Sequence, residues 1–538
     1  MPLEQRRRQT FAFVAFGLTV LAAAIVLTIG WKTFRFVCDD AFITFRYASN
    51  RRLGWGYTYN PPPFRPVEGY TSLLWLMLVD LLWSLTGKEP PATVAGLSLG
   101  FALGSLALVV AMLLRLRLSP RLAAARLPLF ALVLAGVVSN RTFLAWTSSG
   151  LETPLFVFLV LAWVYGALYA PREKRPLALA LVTSLLVLCR PDGLLFVATT
   201  APFLLLTERG ARRAWAIVPA FVAAVHIAIR RGYYGDWLPN TYYAKVGPPW
   251  PGAGSVYLGS FVLEYGYVVC LVVVVIAALR FTRREAIRTW WSERPDALLV
   301  AATLILHAAY YSLLVGGDHF EFRVFAHLVP LVPLSLLALA DALSWTKSRA
   351  LLVLGLMTAL GLPIPWIHWA EARTDLDWAH LHPHPVAKYF PFGLRAYASV
   401  WDASQAYLNA HLVCIRHHEH KAFARRMRRV APARELGETI PVTDYPVGAT
   451  GSIGIVAWSF PNVAFIDTFG LNDRVVAHAP LAPGSTRTMA HERKPPPGYV
   501  ECFRPNLLDT PAGIKLFRRP EPLTAEEIRA CEARFDRD

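Results

Sequence analysis

Two adjacent carboxylates, Asp39 and Asp40, follow the first long apolar segment and open the stretch DDAFITFRYASNRR (39–52). The stretch reads as a helix start, with Ala41, Phe42, Phe45 and Ala48 on related faces. One acid can cap that helix and pair with Arg46 or Arg35. The second is then left without a structural task. Desolvation at a membrane surface raises a carboxylate's pKa toward the range of a general base, so the pair is read as a catalytic position.

Further polar residues sit in short stretches between apolar blocks. SGLETP (149–154) carries Glu152, and RPDG (190–193) follows Arg190 with Asp192. Both acids also suit the first turn of a helix. YYGDWLPNTYYAK (233–245) holds Asp236, Asn240, Tyr242, Tyr243 and Lys245. An interfacial aromatic belt accounts for some of its rings. VGGDHFEFR (315–323) adds Asp318, His319, Glu321 and Arg323. Arg190, Lys245 and Arg323 are the candidates for holding a phosphate, arginine where two oxygens are gripped and lysine as a point charge. Asp318 and His319 invite a metal reading, but neighbours in sequence rarely ligate one ion and no third ligand is suitably spaced. A divalent cation therefore stays open, with no cofactor assigned. Gly448, Gly451 and Gly454 in GATGSIG follow a predicted strand with G-x-x-G-x-x-G spacing, which is not the dinucleotide fingerprint and points to close helix–strand packing.

The elements that must position these residues are membrane helices. The chain has 538 residues, 55% of them hydrophobic, distributed over many apolar blocks. Its net charge of +17 sits largely in short basic clusters between those blocks, as the positive-inside bias requires, so nucleic acid is excluded as a partner. Clusters at 4–8, 115–126, 171–175, 208–213, 280–288 and 344–349 are all assigned to the cytoplasm. Eleven predicted spans then alternate without conflict: 11–31, 91–114, 127–139, 153–170, 177–190, 193–207, 214–230, 256–280, 297–315, 322–343 and 350–370. The first, lacking a small-x-small cleavage pattern, is an uncleaved anchor. SLLWLMLVDLLWSLTG (72–87) has to be left out, because crossing there would invert every later loop. It is read as an in-plane or re-entrant helix at the outer face, with Asp80 in its middle, and a twelfth crossing is the alternative. This places the N-terminus in the cytoplasm of a multi-pass plasma-membrane protein, with every unusual polar loop on the outer side. Residues 1–370 form the membrane domain, and 371–538 are expected as an extracytoplasmic α/β domain, with strand–helix–strand over 438–474. Of six cysteines, the last three lie in this tail, which leaves room for one disulfide whose pairing the sequence does not give.

DDAFITFRYASNRRLGWGYTYNPP, VEGYTSLLW, SGLETPLF, RPDGLL, YGDWLPNTYYAK, GGD and IDTFGLNDR together resemble the actinobacterial terminal β-(1→2)-arabinofuranosyltransferases and their relatives in other bacteria. These are membrane-embedded glycosyltransferases of the GT-C class, and the resemblance runs from the first outer loop into the tail. It implies a polyprenyl-phosphate-linked sugar donor, typically decaprenylphosphoryl-D-arabinofuranose, and a glycan or protein acceptor outside the membrane. It also implies that the catalytic acids are Asp39 and Asp40. The chain departs from the family at YNPPPFRP (59–66), a longer turn without glycine. The implied chemistry is inverting transfer, with one acid as base and the cations on the departing phosphate. In-plane helices at 40–50 and 70–87 would floor the cleft. The competing readings are a lipid-linked sugar transporter, which would want charges along mid-helix, and a non-catalytic envelope scaffold associated with motility control.

Overall fold

A computed structural model describes residues 3–245, 247–280, 293–373, 383–481, 486–510 and 513–536. The basic cluster at 280–288 lies almost wholly outside these residues. The chain is a polytopic helical protein with one small sheet. Among the described residues six helices are long and apolar enough to cross a membrane: Thr10–Phe34, Pro90–Arg115, Gly210–Tyr234, Pro295–Val315, Arg323–Ala342 and Lys347–Ala372. Shorter apolar helices, Arg126–Val138, Thr153–Tyr169, Arg175–Cys189 and Gly193–Thr207, fall where four more spans are predicted.

One predicted span is sharply bent. Residues 256–280 are not one straight helix but two, Pro251–Glu264 and Val268–Leu279, meeting at 101°. The break has a polar cause. Glu264 is fully buried between two arginines, and the Tyr265 hydroxyl bonds Thr142 Oγ1 at 2.7 Å. A carboxylate so fixed cannot continue along a lipid-facing axis.

The first helix, α1 (Leu3–Phe34), ends where the chain runs alongside the 148–149 turn, with Cys38 N–H donating to the Ser149 carbonyl at 2.9 Å. Then α2 (Ala41–Arg52) begins, with Asp40 at its N-cap making no side-chain cap. The segment read as in-plane is α3 (Leu73–Thr86), capped by Ser72 and closed by Gly87. Its 14 residues extend only about 21 Å, short of a hydrocarbon core. Asp80 is buried on the inner face of α3, held by Arg51 and by the Tyr57 hydroxyl at 2.8 Å, while Leu81 and Leu85 face outward.

The tail carries a four-stranded sheet. β1 (Val447–Thr450) pairs in parallel with β2 (Ala464–Asp467) through the short helix Ile455–Ser459, the predicted strand–helix–strand. β3 (Leu507–Thr510) lies parallel on β1's other side, and β4 (Gly513–Leu516) runs antiparallel to β3. Cys502 and Cys531 form the tail's disulfide, their Cα atoms 5.9 Å apart.

Tail and membrane helices are joined by buried polar contacts. Arg141 and Arg416 share Glu264 and Glu321: Arg141 reaches Glu321 at 2.6 Å and Glu264 at 3.1 Å, and Arg416 reaches them at 2.7 and 2.8 Å. All four are buried, so the two charges of each sign neutralise one another where water cannot.

Candidate active site

The two adjacent acids separate at the start of α2. Asp39 turns under the helix toward the tail, where its carboxylate accepts the backbone N–H groups of Ile455 at 2.8 Å and Gly454 at 3.2 Å. Gly454 has to be glycine: a Cβ there would stand 2.0 Å from the Asp39 carbonyl oxygen and 2.7 Å from its carboxyl carbon. The glycine-rich tail turn therefore receives the first loop as well as packing within the sheet. Burial raises the Asp39 carboxyl to about 7, against the two N–H bonds. That value would suit a general base, but geometry comes first. Asp39 is buried and both of its oxygens are engaged.

Asp40 points the other way. It is partly exposed, and among the described residues its carboxylate has no hydrogen-bond or ion-pair partner. It lies within electrostatic reach of Arg323 and His491.

Arg323 faces it half-engaged. Its Nε donates to Asp318 at 3.0 Å, and its guanidinium lies 4.2 Å over the Phe320 ring, leaving its two terminal nitrogens without a partner among the described residues. Gly316 and Gly317 set up Asp318, both at positive φ (92° and 103°), with Trp250 and Tyr257 too close to admit a Cβ. Lys245 is half-buried and has no ion-pair partner among the described residues; it acts electrostatically on His319 and His491. The rings of His319, His420 and His491 meet beside it at centroid distances of 5.3 and 4.9 Å. Burial, neighbouring rings and nearby cations lower all three, His420 to about 3. They are neutral near pH 7, so Arg323 and Lys245 carry the positive charge. Among the described residues no group of three His, Cys, Asp or Glu is arranged to hold a metal ion.

Glu152, Arg190 and Asp192 form a closed cluster behind Arg323. Arg190 donates to Glu152 at 2.6 Å and to Asp192 at 2.9 Å, and its third contact is with the Tyr311 hydroxyl at 2.8 Å. Asp192 also meets His307 Nε2 at 2.9 Å. Burial opposes ionisation of Glu152, but Arg190 and Arg323 outweigh it and hold that carboxyl below its usual range. With every face of Arg190 occupied, it shapes the wall and has no side open to a phosphate.

Most of YGDWLPNTYYAK fastens the tail. Asp236 pairs with Arg474 at 3.2 Å, and the Asn240 amide donates to the carbonyls of Gly470, Leu471 and Asp473. Tyr243 stacks on His478 at 4.3 Å, while Tyr242 is exposed. Lys245 instead acts electrostatically on His319 and His491. A cavity of about 230 Å³ also opens between Asn60–Val67 and the tail. Its carboxylates are engaged, Asp536 by Arg65 and Arg474, Asp473 by Tyr499, so it offers no free acid.

No protein-family model matches the chain. The chain is 30% identical over 397 residues to the terminal β-(1→2)-arabinofuranosyltransferase of Mycobacterium tuberculosis, covering 66% of its own length and 62% of that relative. It thus spans a little under two thirds of that protein. In three dimensions it is similar to ArnT from Cupriavidus metallidurans, solved bound to undecaprenyl phosphate, with a TM-score of 0.52 and 12% identity over 83% of this chain and 85% of that one. The chain has the fold of that ArnT structure. In this fold an acid at the exit of the first apolar helix and cations on later loops share one end of the helix bundle. His491, His420 and Tyr311 are site residues that the sequence does not single out, since their neighbours are distant in the chain.

Proposed function

We propose that the protein is an inverting glycosyltransferase that moves D-arabinofuranose from a polyprenyl-phosphate donor to a glycan or protein acceptor outside the plasma membrane. The carrying observation is the unengaged carboxylate of Asp40 opposite the half-free guanidinium of Arg323. The similarity to a terminal arabinofuranosyltransferase supports the sugar, and the undecaprenyl phosphate bound to ArnT supports the lipid carrier.

In this reading Asp40 takes the proton of the acceptor hydroxyl as its oxygen attacks the anomeric carbon. The bond from that carbon to the phosphate oxygen breaks on the opposite face, and the electron pair leaves with the polyprenyl phosphate. Arg323 and Lys245 hold that phosphate. The phosphate is already a good leaving group, so the protein must supply a base, cations and alignment, and no metal-dependent step is needed. Asp39 fixes the loop that aims Asp40, by anchoring it to Gly454 and Ile455. Cys502–Cys531 fits a tail in an oxidising compartment.

The test is incubation of the purified full chain with synthetic polyprenylphosphoryl-arabinofuranose and candidate glycan acceptors, with and without chelator. Product that carries the inverted anomeric configuration and persists with chelator is expected. No product from any furanose donor and acceptor pair overturns the reading in favour of a transporter or scaffold.

A further inference from the structure

A second polar cavity, of about 220 Å³, lies apart from Asp40. It is lined by Thr33, Phe34 and Trp369, by His417 and His418, and by Arg373, Lys421 and Arg425. Among the described residues three cations and no carboxylate line it. Among the described residues none of the three cations has an ion-pair partner; Arg373 stacks at 4.8 Å over Trp369 with its edge free. His418 is 4% exposed, and neither of its ring nitrogens has a hydrogen-bond partner among the described residues. A buried imidazole with both nitrogens unpaired in a cationic cavity is poised for an oxygen-rich anion. Lys421 shows the same imbalance: burial and the neighbouring Arg425 lower its pKa, as expected of an ammonium lacking counter-charge.

The position of the cavity indicates where the anion comes from. Thr33 and Phe34 end the first candidate span, and Trp369 and Arg373 lie at the end of the last, so two membrane-length helices finish together at its wall. Trp366 and Trp369 pack on Phe34 there, as interfacial aromatics do. His417 belongs to the same lining, and its Nδ1 meets Glu321 at 3.2 Å, so the cavity backs onto the buried Arg–Glu quartet.

We propose that this cavity binds the phosphate of an anionic membrane phospholipid, a site distinct from the donor-phosphate site at Arg323 and Lys245. The headgroup phosphate sits among Arg373, Lys421, Arg425 and the His418 ring, and its acyl chains lie along the two span ends. Such a lipid would brace the tail helix His417–Val430 against the bilayer surface.

Native mass spectrometry of the full-length protein in detergent provides the test, with phosphatidylglycerol, phosphatidylcholine of the same acyl chains, or inorganic phosphate added. The readout is lipid retention and does not depend on transferase activity, so it can fail without that reading failing. The double variant Arg373→Gln, Arg425→Gln changes two exposed residues and leaves the core intact. Its retention of phosphatidylglycerol is expected to fall about tenfold or more. The control Arg426→Gln, Arg429→Gln removes equal charge from the same helix outside the cavity and is expected to retain lipid as wild type does. Equal loss in both variants, equal retention of the two lipids by wild type, or an unaffected cavity variant would each overturn the site. Inorganic phosphate binding as tightly as the lipid would overturn the lipid source.

Discussion

Asp40→Asn separates a catalytic carboxylate from a structural one. Asn is nearly isosteric with Asp, and the Asp40 carboxylate makes no hydrogen bond or ion pair among the described residues. Removing its charge should therefore move stability by no more than about 0.5 kcal/mol. As a base it contributes a proton transfer in the transition state, and its loss is expected to lower turnover about 10²- to 10⁴-fold. At about 10³-fold this is a barrier increase of about 4 kcal/mol. The loss should appear in kcat, with donor KM little changed, because the proposed phosphate ligands Arg323 and Lys245 are left in place. Release of radiolabelled product from a polyprenylphosphoryl-sugar donor, run beside a thermal melt in the same detergent, measures both quantities. Asp39→Asn is the comparison: its change should be read mainly in the melt, since Asp39 meets backbone groups of the tail. Turnover by Asp40→Asn within about threefold of wild type at an unchanged melting temperature would refute the assignment.

Burial holds the Asp39 proton up to about 7, against an ordinary 3.8, so the folded chain keeps a proton that the unfolded chain releases. Its contribution to stability is full below about 4 and is lost as pH rises through about 7. Asp39→Asn should flatten that part of the melting-temperature profile, and an unchanged slope between about pH 5 and pH 8 would count against it. Arg416→Met leaves Glu264 and Glu321 buried with one arginine between them, an expected cost of about 3–5 kcal/mol; a shift below about 1 kcal/mol in the same melt would show that the quartet is not coupled. Arg323→Lys keeps the charge but loses the planar fork, so donor KM should rise about tenfold with a smaller change in kcat, and equal kinetics would remove Arg323 from the phosphate.

The sequence makes the loops with unusual polarity legible because the surrounding blocks are so apolar. DDAFITF, SGLETP, RPDG and GGDHFEFR do converge, since Asp40, Glu152 and Arg190 all act electrostatically on Arg323. Division of labour among them is not legible, because it depends on partners far along the chain. Asp39 and Asp40 look equivalent as neighbours, yet one bonds an amide 416 positions away and the other has no hydrogen-bond or ion-pair partner among the described residues. Asn240 and Asp236, read as substrate ligands, are held by the turn after β2 and by Arg474. One signal was available in the sequence. Glu264 sits inside an otherwise apolar run, and an unpaired acid there is costly enough that the run had to break or find an arginine. It does both.

The same partners recast what the tail contributes. Arg46, buried on α2, donates to the carbonyls of Ala457, Phe460 and Val463, while Asn60 and Phe465 exchange bonds at 2.9 and 3.0 Å. With the Asp39 contacts, the first loop is fixed by tail backbone at Asp39, Arg46 and Asn60. A base on a free loop would lose much of its advantage, because effective molarity falls steeply with misplacement of about 1 Å. On the proposed assignment the tail is therefore part of the framework that positions Asp40. Gly454→Ala, which forces a methyl into Asp39 without touching Asp40, should depress kcat through position alone. Preserved kcat in a variant whose tail remains docked would show that Asp40 is aimed by α2 and not by the tail.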